Sequence, residues 1–236
     1  MHLLLLPGMD GTGRLFEPLV RALPPGLTPI VMRYSPDQPL GYAELLPLVE
    51  RAAPQDADYI VLAESFSGPL ALQLAAQHPP RLRGVVLCAS FARNPLPGFT
   101  RWLGPLVRGL WFRLTPNFVC RKFLLGRYRT PELDALLDAV WREVRPGVLA
   151  ARAREILAVD ATQAAQACAV PILYLAGAAD RIVGPRSHEY LRAQAPQLEI
   201  ATLPGPHLLL QAAPAAAVPA LVKFADACSR AAVVAI

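Results

Sequence analysis

Three side chains in this sequence could together perform acyl transfer: the hydroxyl of Ser65, the carboxylate of Asp180 and the imidazole of His207. A serine hydroxyl is a weak nucleophile at neutral pH and needs an adjacent base. An imidazole can be that base, and a carboxylate can fix its tautomer and stabilise its cation. The three lie far apart along the chain, so the chemistry depends on elements that would bring them together.

Ser65 lies between a strand pattern and a helix pattern. Residues 59–62 (YIVL) are an apolar, β-branched run, and residues 70–78 (LALQLAAQH) have helical composition and stop at two prolines. Strand, abrupt turn and helix, with serine at the apex, is the geometry of a nucleophile elbow. Such a turn forces the serine to positive φ and demands small residues two before and two after it. Here they are Ala63 and Ser67, where glycine is usual. Taking Ser67 as the apex puts Pro69 at the second small position, a worse fit. The plainer alternative is that Ser65 and Ser67 only cap the helix.

Asp180 and His207 each follow a predicted strand, at 170–176 and 198–203. A short apolar strand at 3–6 leads into the glycine-rich loop PGMDGTG at 7–13. That loop lacks the lysine and spacing of a phosphate-binding loop and the fingerprint of a dinucleotide site. Asp10 is expected to bond its own turn. Among the other histidines, His2 opens the first strand, His78 ends a helix and His188 belongs to a surface helix. Glu64, Asp160 and Asp226 are worse placed than Asp180 as the acid. Glu64 is expected to hydrogen-bond or ion-pair with a neighbouring loop.

The positioning elements follow from the periodicity. Strands at 3–6, 28–33, 59–62, 83–88, 170–176 and 198–203 alternate with helices at 14–23, 42–53, 70–78, 185–195 and 214–229. This predicts an α/β fold with a mostly parallel sheet flanked by helices. Ligands of such sheets bind beyond the carboxyl ends of the strands, which is where Ser65, Asp180 and His207 fall.

The alternation breaks between 91 and 160, where the patterns are helical. All three tryptophans lie there (Trp102, Trp111 and Trp141), and residues 91–130 hold eight basic side chains and no acidic one. We read this as a helical insertion over the sheet's carboxyl edge, leaving 1–90 and 161–236 as the core. Leu103, Leu106, Val107, Leu110, Trp111 and Leu114 have the spacing of one helix face, whose ordinary role is packing. The basic residues read equally as a solvated face.

The 236 residues, 54% hydrophobic and 17% charged, suit one domain with an insertion. Four scattered cysteines fit reduced thiols in the cytoplasm better than disulfides or a metal site. No signal-peptide core is recognised, and no apolar run, the tail at 231–236 included, is long enough to span a bilayer. Positive charge confined to one apolar-rich segment, without a recognised motif, argues against nucleic acid.

The order Ser, Asp, His and the motifs LPGMDG at 6–11, AESFSG at 63–68, LAGAADRIV at 175–183 and GPH at 205–207 resemble the α/β-hydrolase-fold serine hydrolases. The resemblance covers nearly the whole chain outside 91–160. It implies a triad of Ser65, Asp180 and His207, an oxyanion hole from the backbone N–H groups of Met9 and Phe66, and no metal or other cofactor. It departs at Pro7-Gly8, where many members have His-Gly, and the two antiparallel strands that often precede this loop are expected to be missing. The implied activity is cleavage of an ester or thioester with an apolar acyl group. The helical cap would form the substrate pocket, with Trp102 and Trp111 in it. Arg121 and Arg129 would read an anionic carrier such as an acyl carrier protein or coenzyme A, a role that ranks ahead of docking on a membrane. C–C hydrolase, lyase or cofactor-free haloperoxidase chemistry on the same fold, and a silent ligand-binding homologue, stay open.

Overall fold

The sheet grows from runs that are apolar on both faces. The computed structural model describes residues 1–234, so Ala235 and Ile236 of the apolar tail lie outside the described residues. Its strands are β1 (His2–Leu6), β2 (Thr28–Val31), β3 (Tyr59–Glu64), β4 (Leu82–Cys88), β5 (Ile172–Gly177) and β6 (Leu198–Leu203). They run in the order β2-β1-β3-β4-β5-β6, and every pairing is parallel. Strand direction of growth reverses at β1, so the crevice at the switch point opens beyond the ends of β1 and β3.

The alternation of side chains splits the core in two. Leu4, Leu6, Val61 and Ala63 face one side, covered by α2 (Tyr42–Ala52), α3 (Gly68–Ala75), α8 (Thr162–Ala167) and α9 (Pro185–Gln194). Leu3, Leu5, Ile60 and Leu62 face the other, covered by α1 (Glu17–Ala22), α10 (Leu209–Ala212) and α11 (Pro214–Val234). Burial of both faces is why these strands are continuous apolar runs. The second strand ends at Val31, two residues short of the expected end.

Between β4 and β5 the described chain is helical. It contains 3₁₀ turns at Gly98–Leu106 and Gly126–Tyr128, and α4 (Gly109–Leu114), α5 (Asn117–Leu124), α6 (Pro131–Glu143) and α7 (Pro146–Ala158) precede α8. Helix α6 starts where Thr130 Oγ1 accepts from the Leu133 N–H and Pro131 occupies the first turn. An antiparallel bridge between Arg93 and Asp160 draws the two ends of the segment together.

The stripe from Leu103 to Leu114 departs from expectation. It is not one helix: Val107 and Arg108 are extended and separate the 3₁₀ stretch from α4. Pro105, which lacks an N–H donor, sits just before the break. Nor is the stripe packed, since Leu103, Leu106, Leu110, Trp111 and Leu114 are all exposed.

Candidate active site

Strand β3 ends at Glu64, and Ser65 then takes φ 48°, inside the left-handed region that few non-glycine residues adopt. Several contacts hold this strain. Ser90 Oγ donates to the Ser65 carbonyl at 2.5 Å, and Ser90 itself is clamped by the Tyr174 hydroxyl, which donates to its carbonyl at 2.7 Å and accepts from its N–H at 3.0 Å. A Cβ on Gly68 would lie 1.9 Å from Ser90 Oγ, so glycine is required there by close approach. Tyr42 Oη donates to the Phe66 carbonyl at 2.9 Å. Ala63 and Ser67 are fully buried. Ser67 Oγ donates to the Pro7 carbonyl, so the 2.8 Å contact with Tyr34 Oη is a bond donated by the tyrosine. That chain ties the elbow to the loop after β1.

The structure brings Ser65, His207 and Asp180 together. Ser65 Oγ is 3.1 Å from His207 Nε2, and His207 Nδ1 is 2.9 and 3.1 Å from the two oxygens of Asp180. Asp180 Oδ1 also accepts from the N–H groups of Ile182 and Val183 at 2.8 and 3.0 Å. With Asp180 as acceptor, the ring proton sits on Nδ1 and the Nε2 lone pair faces the serine hydroxyl. Both partners' side chains are about 95% shielded from solvent, which keeps their attraction strong.

The loop after β1 approaches the same point. Gly8 and Met9 line a cavity together with Ser65 and His207. Asp10 closes a local turn, its Oδ2 accepting from Thr12 N at 2.9 Å and Thr12 Oγ1 at 2.6 Å. Burial raises the Asp10 pKa, against those bonds and the nearby Arg152 charge. Arg152, from α7, is fully buried and donates to the carbonyls of Met9 (3.0 Å), Asp10 (2.8 Å) and Ser35 (2.9 Å). It lies over the Tyr34 ring. An arginine buried at a helix position gives no signal in sequence periodicity, and we did not expect it.

Glu64 is the other buried carboxyl beside the nucleophile. Gln211 Nε2 donates to both of its oxygens at 3.0 and 3.1 Å. Gln211 follows His207 by four residues, so this pair joins the ends of the elbow strand and the histidine loop. Desolvation pushes the Glu64 pKa up to about 8; Gln211 lowers it and the Asp10 charge raises it.

Two apolar cavities meet at Ser65. One, of about 360 Å³, is lined by residues including Leu96, Val107, Trp111, Phe112 and Leu157. The other, of about 240 Å³, is lined by residues including Met9, Phe112, Leu137, Trp141 and His207. Phe112 borders both. Trp111 lines the larger cavity although it is 63% exposed, while Trp102 lines neither and is 72% exposed. Arg121 and Arg129 line neither cavity and pair with α6. Arg121 binds Asp138 and, at 3.4 Å, Asp134; Arg129 binds Asp134 at 2.6 Å.

A hydroxyl, an imidazole and a carboxylate in one hydrogen-bonded line at the carboxyl edge of a parallel sheet define a serine-hydrolase type of site on an α/β-hydrolase fold. Residues 42–207 match the family described as serine aminopeptidase, S33, and the chain belongs to that family. A pimeloyl-[acyl-carrier protein] methyl ester esterase of Neisseria meningitidis serogroup B is 32% identical over 151 residues, which span 59% of this chain and 58% of that protein. Among solved structures, an enol-lactonase from Burkholderia xenovorans aligns with a TM-score of 0.79 at 19% identity, covering 95% of this chain and 91% of that one. A thermophilic esterase from Thermogutta terrifontis aligns with a TM-score of 0.78 at 20% identity, covering 97% and 90%. Those two likenesses speak for the fold.

Proposed function

We propose that this chain hydrolyses carboxylic esters with an apolar acyl group through an acyl-enzyme on Ser65. The observation that carries this reading is the unbroken line Ser65–His207–Asp180, at 3.1 and 2.9 Å, opening onto two apolar cavities. In the reaction, Ser65 Oγ attacks the ester carbonyl as its proton passes to His207 Nε2. Asp180 stabilises the imidazolium that forms. The N–H groups of Met9 and Phe66 take the developing oxyanion, each worth about 3–4 kcal/mol on the precedent of other enzymes. His207 then gives the proton to the departing alcohol. Water repeats the sequence on the acyl-enzyme: its proton goes to His207, its oxygen to the acyl carbon, and the acid leaves as the Ser65 hydroxyl is restored. The two cavities suit the two sides of an ester, and the helical segment 91–160 acts as the lid that walls them.

A second reading, in which the acyl group arrives on a carrier, has support for an acyl carrier protein in the name of the 32% identical relatives; a coenzyme A carrier is the other form of this reading. Arg121 and Arg129 are engaged by α6 carboxylates, so anion recognition would fall to other basic side chains. Four free thiols, three of them buried, suit the reduced cytoplasm.

The test is a panel of p-nitrophenyl esters and acyl thioesters of increasing chain length, with Ser65→Ala protein as blank. Turnover that grows with acyl length and vanishes in the blank is the expected result. Equal rates in the two proteins would overturn the assignment.

A further inference from the structure

Ten of the twelve large apolar side chains exposed among the described residues lie between positions 96 and 123. The 3₁₀ stretch Gly98–Leu106 and α4 both rest on α7, so their far sides share one outer surface. That surface carries Phe99, Trp102, Leu106, Leu110 and Leu114, each more than half exposed. Monomeric proteins rarely expose contiguous apolar patches above roughly 300–600 Å² without a partner for them.

Charge selects the partner. Arg101, Arg108 and Arg113 alternate with these side chains and are exposed, and residues 91–130 contain no carboxylate. A second copy docked on this face would set like charges against each other. Aromatic and leucine side chains interleaved with arginines match a lipid–water boundary, where apolar groups enter the acyl layer and guanidinium heads stay among anionic headgroups. The location supports the same occupant. Leu96 and Trp111, both exposed, line the cavity that reaches Ser65, and Trp111 belongs to α4, so the cavity borders the patch.

We propose that the surface formed by the Gly98–Leu106 stretch and α4 docks the protein on an anionic lipid bilayer and receives an apolar ester from it. The second half of this statement rests on the ester-hydrolase reading; the docking itself does not. No helix among the described residues is long and apolar enough to cross a membrane, so the contact is peripheral.

The experiment is flotation with phosphatidylcholine vesicles and with equimolar phosphatidylcholine–phosphatidylglycerol vesicles. Wild-type and Ser65→Ala proteins should float with the anionic vesicles and stay largely free of the neutral ones. Replacing Arg101, Arg108 and Arg113 by Ser should weaken anionic-vesicle binding by about a hundredfold, as should replacing Phe99, Leu106 and Leu110 by Ser. Both variants should keep wild-type hydrolysis of a short soluble ester. Docking is overturned if wild type stays unbound, or if the variants float as well as wild type. It is equally overturned if wild type ignores vesicles but forms a dimer, or binds an acidic acyl carrier protein, that the apolar variant abolishes. Absence of ester turnover in the wild-type protein with flotation intact would overturn the hydrolase reading and with it the delivery of an ester, and leave the docking standing.

Discussion

The Arg152 guanidinium donates to the Met9 carbonyl at 3.0 Å across 143 positions of chain. Helix α7 of the strand-free segment thereby holds the loop whose next function, in the mechanism above, is to present the Met9 N–H to an oxyanion. The same guanidinium grips the Asp10 and Ser35 carbonyls. Segment and sheet are thus coupled at the reacting centre.

Arg152→Met should lower kcat by about 10–100-fold with a small change in KM, because a displaced oxyanion donor acts in the transition state. Three carbonyls, one buried and two part-buried, lose their donor, so stability should fall by about 3 kcal/mol. Arg152→Lys keeps the charge but not the planar fork and should fall between. Steady-state kinetics, urea unfolding and binding of a boronic acid analogue check this; unchanged kcat in Arg152→Met would refute the positioning role.

Glu64 gives a pH-dependent stability. Its pKa is near 4.5 unfolded and about 8 folded, so folding takes up a proton between those values. Stability should therefore fall as pH rises through that window and level off above it, by about 1.4 kcal/mol per unit at most. His188, lowered by burial, works in the opposite sense, so the comparison must be with Glu64→Gln, which removes only the Glu64 slope. Parallel stability profiles for the two proteins would contradict it.

Phe112 borders both cavities at Ser65. Phe112→Ala should join them and raise kcat/KM for long acyl esters relative to short ones by about tenfold. A uniform change across chain lengths would show that Phe112 does not limit the acyl site.

What was legible in the sequence was whatever chain-local pattern dictates. Ser65 stands out because strand, turn and helix are contiguous there, and Asp180 and His207 because each follows a strand end. The run 103–114 shows the limit: its spacing implies a face but not a partner for that face, and neither the break at Val107 and Arg108 nor its exposure is written in the period. Arg152, Gln211 and Ser90 were missed for a related reason. Each acts through a partner tens of residues away or more, on a carbonyl or a carboxylate that sequence spacing does not point to. Gly68 begins α3, two residues ahead of the helix read at 70–78, and its small size serves the approach of Ser90.

The central claim is that Ser65 is a nucleophile activated by His207, and intact-mass and peptide mapping after reaction with a fluorophosphonate tests it most directly. One covalent adduct on Ser65 is predicted, slowed by orders of magnitude in His207→Ala and absent in Ser65→Ala. A protein that turns over esters yet stays unlabelled, or takes the label at another residue, would contradict the account.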